Sequence, residues 1–131
     1  MTAELLLKFE FVASHSLPAR PEPHPHLWRM EVVISGEPKN GMIINLLDAR
    51  KAFEGVIAPL SQTFLNENPL LDAPARATPT CETLGGYFFR AFEQSIESRF
   101  AAQNPTLKLK SVQVAICEPD GYEWGAAKLS R

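Results

Sequence analysis

The chain has 131 residues, of which 45% are hydrophobic and 21% are charged, and its formal net charge at pH 7 is −2. We expect residues 1–131 to form a single globular domain, because a chain of this length and composition can bury a core of its own. The even charge balance excludes the strongly basic surface that is typical of proteins bound to nucleic acid or anionic membranes, so we expect neither partner.

The first predicted element is a strand over residues 4–15, where apolar side chains alternate with charged ones and His15 continues the apolar series. Four prolines follow within residues 16–25. Because each proline lacks a backbone donor and has a fixed φ, they predict an ordered but irregular loop. Residues 26–36 are rich in β-branched and aromatic side chains, which predicts a second strand antiparallel to the first. The residues expected to share one side of it are His24, His26, Trp28 and Met30.

Two helices are expected in the middle of the chain. The first begins after Asn45 as N-cap and stops at Pro59. The second begins with Thr78 as N-cap and Pro79 as its first helical residue. Its apolar side chains recur every four residues, which predicts a long amphipathic helix. They are Leu84, Phe88, Phe92, Ile96 and Phe100.

Two further strands are expected near the C-terminus. Apolar and polar residues alternate over residues 107–118, and residues 121–129 can pair back on this strand across the turn sequence PDG. Glu118 ends the third strand on its buried side. The order strand, strand, helix, helix, strand, strand predicts an α+β fold, a four-stranded antiparallel sheet with both helices on one face. Since the sheet edges lack obvious protection, we expect them to pair with other subunits.

The cysteines and the start of the chain bear on location. Cys81 and Cys117 each lack a second cysteine nearby, which favours reduced thiols over a disulfide framework or a zinc ribbon. The segment after Met1 lacks the basic region and long apolar run of a signal peptide, and no segment reaches membrane-spanning length. We therefore expect a cytoplasmic location.

All three histidines of the chain, His15, His24 and His26, lie within twelve positions. A histidine on one strand and a pair spaced i, i+2 on its neighbour can bring three imidazole nitrogens to one point, because i and i+2 side chains project from the same face. Three protein ligands and an open fourth position are typical of a catalytic zinc site. The alternative is a set of surface or hydrogen-bonded histidines, which the spacing alone does not exclude.

Several segments together resemble the 6-pyruvoyltetrahydropterin synthase and 6-carboxytetrahydropterin synthase family over nearly the full chain. They are FEFVASHSLP, HPHLWRMEVVISGEPKNGMIINLLDARK, LNENP, PTCE and VQVAICEPDG. The resemblance implies the tunnelling fold, in which subunits join their sheets into a barrel. It also implies a homo-oligomer, a trimer or a hexamer built from two trimers.

The same resemblance implies roles for individual residues. His15, His24 and His26 would bind zinc. Glu118 would hold the guanidine-like edge of a pterin through two charge-assisted hydrogen bonds. Thr80 would lie at the pterin pocket, which a neighbouring subunit completes. The alternative for Glu118 is a strand-end carboxylate in solvent, and for Thr80 it is a residue that only starts a helix.

The chain also departs from the family pattern. Arg20 stands where the family has its catalytic cysteine, and Ser61 and Gln62 stand where it has an Asp-His dyad. Neither side chain of that pair can shuttle protons near neutral pH. The glycine between the paired histidines is replaced by Pro25, and an aspartate after the GM turn by Asn45. The family reaction therefore needs substitute groups.

Glu22, two residues before His24, is the candidate catalytic base, because a subset of the family is thought to use a glutamate near the cysteine position. The alternative is a solvated carboxylate between two prolines. Cys81 at a helix start could have thiolate character, but packing is the simpler role.

Two functions remain open at this stage. The first is a zinc-binding homologue that binds a pterin or a related purine-derived ligand, with altered or weak lyase chemistry of the 6-carboxytetrahydropterin synthase type. The second is a non-catalytic, oligomeric pterin-binding or scaffold protein that retains the zinc site. A third reading, in which the histidines are structural and the pocket is closed, is the least favoured by the pattern.

Overall fold

The computed structural model of the protein describes residues 1–131. Its elements in chain order are β1 (Ala3–Leu17), β2 (Arg20–Gly36), α1 (Leu46–Ile57), α2 (Ala73–Ala77), α3 (Cys81–Arg99), β3 (Lys108–Cys117) and β4 (Glu123–Ser130). The strands form one antiparallel sheet in the order β1-β2-β3-β4, and the long helices α1 and α3 cover one of its faces. This confirms the predicted α+β fold. No helix combines the length and the apolar character that crossing a membrane requires.

The core lies between the sheet and the two long helices. Alternate residues of β1 and β2 face the helices and are buried. At its centre Phe53 of α1 and Phe92 of α3 stack with their ring centroids 4.5 Å apart. Helix α3 approaches the sheet most closely at Gly85, where an added Cβ would overlap the side chain of Leu129. This close packing fixes α3, and with it the chain that leads into its N-terminus, relative to the sheet.

The proline-rich segment is part of a long hairpin, and the prediction of an irregular loop was wrong. A turn at residues 18–19 joins β1 directly to β2. The pairing of β1 with β2 is compatible with Pro25, because the backbone nitrogen of Pro25 points away from β1. Pro25 lies opposite Ser14, whose N–H donates to the carbonyl of Thr63 and so points away from β2. In such a pair both residues direct their backbone groups outward, so Pro25 removes no hydrogen bond between β1 and β2.

The helix starts were predicted with mixed success. Asn45 is the N-cap of α1, as predicted, and its side chain accepts a backbone hydrogen bond. The start of α3 was placed two residues too early, because Thr80 and not Thr78 is its N-cap. Thr80 and Thr83 form a capping box that satisfies two otherwise unpaired backbone donors. Pro79 therefore precedes the helix, and its carbonyl is available to another group.

The two edges of the sheet differ. Near the hairpin, residues 61–66 cover the edge of β1. There the N–H of Gln62 donates to the carbonyl of Val12 at 2.6 Å, and the N–H of Ser16 donates to Asn66 Oδ1 at 2.8 Å. No strand lies beyond β4. An uncovered edge of this kind can accept a strand of another subunit, and that pairing stays a prediction.

Candidate metal centre

The hairpin of β1 and β2 brings the three histidines together on the face that the helices cover. His15 lies opposite His24, and the next position along the same face of β2 is His26. All three are buried, with 2%, 8% and 6% of their surface exposed. Their ring centroids are 4.5 to 5.0 Å apart. One ring nitrogen from each lies within 4.8 Å of the other two. Ligands of a tetrahedral zinc ion lie roughly 3.4 Å apart, a separation that small side-chain movements reach.

Each imidazole is oriented by a backbone carbonyl. The Nδ1 atom of His15 is 2.7 Å from the carbonyl oxygen of Pro79, that of His24 is 3.0 Å from Glu22, and that of His26 is 3.1 Å from Cys117. A carbonyl can only accept, so each Nδ1 carries the proton. This leaves the Nε2 lone pairs, which have no partner within the chain, as the three donors to a metal. The donor set fits zinc, because ligating histidines donate their second ring N–H in this way.

Burial favours the neutral form of two of these rings, those of His15 and His26. It lowers the pKa of His15 to about 4, against a weaker opposing effect of the hydrogen bond to Pro79. It also lowers the pKa of His26. The positive charge of Arg20 adds a small effect in the same direction at both rings. Neutral imidazole is the metal-binding form, so the site is prepared to bind a cation near pH 7 without first losing protons.

Trp28 forms the floor of the histidine cluster. Its ring centroid lies 5.2 Å from that of His15, and the side chain is fully buried. The indole N–H donates to the carbonyl of Ala13 at 3.2 Å, so the ring is held without using a histidine nitrogen. The apolar floor contributes to the desolvation that keeps His15 neutral.

Glu118 lies directly after β3 and is half-buried. The carbonyl of the preceding residue, Cys117, is the one that accepts from His26. The negative charge of Glu118 raises the pKa of His26, against the larger effect of burial. One carboxylate oxygen, Oε1, accepts from the indole N–H of Trp124 at 2.7 Å. The structure therefore places Glu118 beside the histidine cluster, and its role in holding a ligand stays a prediction.

Thr80 caps α3, which accounts for its side chain without a ligand. Its hydroxyl accepts from the N–H of Thr83 at 3.2 Å, and its N–H donates to the hydroxyl of Thr83 at 3.0 Å. Thr80 is nevertheless adjacent to Pro79, the residue that orients His15. A place at the edge of a ligand pocket is compatible with this position and stays a prediction.

The backbone of Glu22 contacts the histidine cluster, and its carboxylate is exposed. The Glu22 carbonyl is the one that holds the ring of His24, and the side chain lies on the surface. It makes no ion pair with Arg20 or with any other residue. A free carboxylate two residues from His24 can accept a proton from a nearby bound molecule.

Cys81 is not a candidate base. It is buried at the start of α3, and burial raises the pKa of its thiol to about 11. The side chain is therefore protonated near pH 7. Burial also raises the pKa of Cys117. Both thiols are free, and packing accounts for them.

Two contributions to the site were missed from the sequence. Pro79 and Cys117 act through backbone carbonyls, which no side-chain pattern announces. Trp124 contacts Glu118 through a side chain, and a tryptophan six residues after the candidate acid, across a tight turn, was a usable signal.

Comparisons with known proteins agree with this architecture. Residues 4–123 match the family model of 6-pyruvoyl tetrahydropterin synthase. A dihydroneopterin monophosphate aldolase of Pyrococcus furiosus is 32% identical over 76 residues, which are 56% of this chain and 65% of that protein. A putative 6-carboxy-5,6,7,8-tetrahydropterin synthase of Archaeoglobus fulgidus is 38% identical over 61 residues, 44% of this chain and 53% of that protein. The matched part thus spans less than two thirds of either relative.

The fold of the whole chain is similar to that of a solved structure. The 6-pyruvoyl tetrahydropterin synthase of Plasmodium vivax gives a TM-score of 0.71 at 16% identity, over 100% of this chain and 98% of that one. Another structure of the same Plasmodium enzyme carries an alanine in place of a glutamate named as a catalytic residue.

Proposed function

Because the chain belongs to the 6-pyruvoyl tetrahydropterin synthase family, we propose that it is a zinc-dependent lyase acting on a pterin or a related purine-derived ligand. The reaction would break a carbon–oxygen or carbon–carbon bond of the ligand's side chain. The observation that carries the proposal is the convergence of three carbonyl-oriented imidazoles next to a half-buried carboxylate. Arg20, Ser61 and Gln62 replace the proton-transfer groups of the family enzymes. We therefore expect the lyase activity to be altered or weak.

His15, His24 and His26 would hold the zinc ion through their Nε2 atoms. A zinc ion bound in this way supplies Lewis acidity toward an oxygen of the ligand's side chain. The chain's own contribution is rigidity, because two elements outside the hairpin fix the rings. Pro79, before α3, orients His15, and Cys117, at the end of β3, orients His26. Both contacts keep the rings in place when no metal is bound.

Glu118 would bind the ligand through its cyclic guanidine edge. An ionised carboxylate accepts two parallel N–H donors from such an edge in a charge-assisted, two-point contact. The position directly after Cys117 supports this role, since it puts the anchoring carboxylate one residue from the group that orients a metal ligand. A pterin held there would extend its side chain toward the histidines. Thr80, next to Pro79, would border the same pocket.

Glu22 would accept the proton that the reaction releases. Its backbone contact with His24 and its freedom from ion pairs support this role. The catalytic glutamate of the Plasmodium vivax enzyme is a precedent for a carboxylate base on this fold. A carboxylate positioned for proton transfer contributes roughly 10²- to 10⁴-fold in rate.

We further propose that the protein acts as a homo-oligomer, a trimer or hexamer whose subunits join their sheets into a barrel. The uncovered edge of β4 supports this arrangement, because such an edge is otherwise open to uncontrolled pairing. Tyr122 and Trp124, at the start of that edge, are 62% and 63% exposed in the single chain. A neighbouring subunit would cover part of this surface.

A second candidate function is an oligomeric pterin-binding or scaffold protein without catalysis. It is favoured by the scarcity of proton-transfer groups. The Cys81 thiol is protonated near neutral pH, because burial raises its pKa to about 11, and the positions of the family's cysteine and Asp-His dyad hold Arg20, Ser61 and Gln62. Under this function the metal and Glu118 would retain their places, and Glu22 would be a surface carboxylate.

One assay separates the two functions. Protein carrying about one zinc per chain is incubated with 7,8-dihydroneopterin triphosphate, and released acetaldehyde and triphosphate are measured. 7,8-Dihydroneopterin monophosphate is tested in parallel, because the Pyrococcus relative is named for it, and its consumption is followed by chromatography because it has no triphosphate to release. Turnover that is lost in Glu22→Gln supports the lyase. A pterin-induced rise in melting temperature without turnover on either substrate supports the binding protein, and its loss in Glu118→Ala, with zinc retained, locates the pocket.

A further inference from the structure

Trp124 makes a side-chain contact that folding does not require. The residue lies on the surface at the start of β4 and is 63% exposed, yet its indole N–H donates to Oε1 of Glu118 at 2.7 Å. An exposed indole can bond to water instead, so this contact adds little to the free energy of folding. What it does change is the orientation of the carboxylate that accepts it.

The backbone around Glu118 is held independently of Trp124. The N–H of Glu118 donates to the carbonyl of Tyr122 at 2.7 Å, and the Glu118 carbonyl accepts from the N–H of Gly121 at 2.8 Å. Arg29 of β2 donates through Nη1 to the Gly121 carbonyl at 3.2 Å. Gly121 adopts a φ of +99°, which glycine allows without strain. With the turn fixed, the remaining freedom of Glu118 lies in its side-chain torsions, and these are what the indole restricts.

The contact leaves Glu118 the acceptor capacity that a cyclic guanidine needs. A carboxylate offers about four lone-pair positions, of which the indole fills one. Oε2 accepts no hydrogen bond within the chain and is not sealed from solvent. Two parallel donors on a planar ligand pair well only when the carboxylate lies in the ligand's plane. Fixing that plane beforehand reduces the entropy lost on binding.

We propose that Trp124 is a positioning residue that fixes the plane of the Glu118 carboxylate and so makes the site selective for planar ligands with two parallel N–H donors. The inference rests on the proposed role of Glu118 as the ligand anchor. The ring of Tyr122 packs edge-on against the indole, with centroids 5.2 Å apart at 80°, and holds it in place. Cys117, the residue before Glu118, accepts a hydrogen bond from His26, so the carboxylate and the histidine cluster are adjacent.

Trp124→Phe tests the inference, because it removes the N–H and keeps an aromatic ring. Zinc-loaded wild-type and variant proteins are titrated calorimetrically with neopterin, with pterin, and with lumazine, which differs from pterin by an oxygen in place of the 2-amino group. Loss of the pre-ordering of one side chain predicts about two- to tenfold weaker neopterin binding. We also expect the preference for pterin over lumazine to shrink, an effect that a merely structural role would not produce. Tyr122→Phe keeps both the ring and the indole contact, so it is the matched control and should bind like the wild type.

The outcomes separate this inference from the proposed function. If Glu118→Gln binds neopterin as the wild type does, the anchor lies elsewhere and the proposed function fails with it. If Glu118→Gln weakens binding while Trp124→Phe keeps wild-type affinity and selectivity, the pocket stands and the role of Trp124 is refuted. Tighter binding by Trp124→Phe also refutes it, since the indole would then compete with the ligand. Equal zinc content in all variants shows that the metal site is intact.

Discussion

The metal-free protein should lose stability steeply in mild acid, and His15 should account for most of the loss. Burial lowers the pKa of His15 from 6.5 to about 4 in the folded state, while the unfolded chain keeps the ordinary value. Between these two values the unfolded state binds more protons than the folded state, so the free energy of unfolding rises with pH. The contribution is fully present above about pH 6.5 and is lost as the pH falls toward 4. At 1.36 kcal/mol per pKa unit, it is about 3 kcal/mol.

The measurement is urea unfolding of chelator-treated protein at a series of pH values from 7 to 4. His15→Gln is the matched variant, because its amide can still donate to the Pro79 carbonyl but does not titrate in this range. The carboxylates of the two proteins are the same, so the difference between their pH profiles isolates His15. We expect the wild type to lose about 3 kcal/mol more than His15→Gln between pH 7 and pH 4. Parallel profiles would refute the argument that burial holds this ring neutral.

Three further predictions concern the metal, the base and the core. His24→Ala together with His26→Ala should reduce zinc from about one per chain to a trace by elemental analysis, and undiminished zinc would place the metal elsewhere. Glu22→Gln should lower kcat by roughly 10²- to 10⁴-fold with zinc content unchanged, and wild-type kcat would exclude Glu22 as the base. Phe92→Ala should lower the free energy of unfolding by about 3–5 kcal/mol, because the ring is fully buried against Phe53. A loss below 1 kcal/mol in denaturant titrations would show that the core refills around it.

The parts of the fold with a strong local pattern were predictable from the sequence. The alternation that ends at His15 identified β1, and Asn45 marked the start of α1, since a side-chain cap there is the dominant local signal. The start of α3 was wrongly predicted at Thr78, because a Thr-Pro pair is a common helix start. The competing pair of Thr80 and Thr83 satisfies two backbone donors at once, and it decided the boundary.

The proline-rich segment was misread because prolines were counted without asking which way each one faces. A proline is excluded only where its missing N–H would have bonded to the neighbouring strand, and that depends on pairing register. Register between β1 and β2 is a property of the folded hairpin. In the candidate site, too, some features could be predicted from the sequence and others depend on the folded structure. Side chains that bind directly were visible in the sequence, whereas the orienting carbonyls of Pro79 and Cys117 depend on which elements meet in space.

Pro25 also helps to set the end of β3, which lies ninety-two residues away in the chain, at Cys117. It faces away from β1, toward the side on which β3 pairs with β2, and the last pair of that ladder is Leu27 with Cys117. Two residues further on, the ladder would join Pro25 to Pro119, and because neither proline has an N–H, β3 ends at Cys117 and the chain turns after Glu118. The hairpin that carries the three histidines therefore also helps to set where β3 ends, so the positions of the histidine cluster and of Glu118 depend on one sheet register.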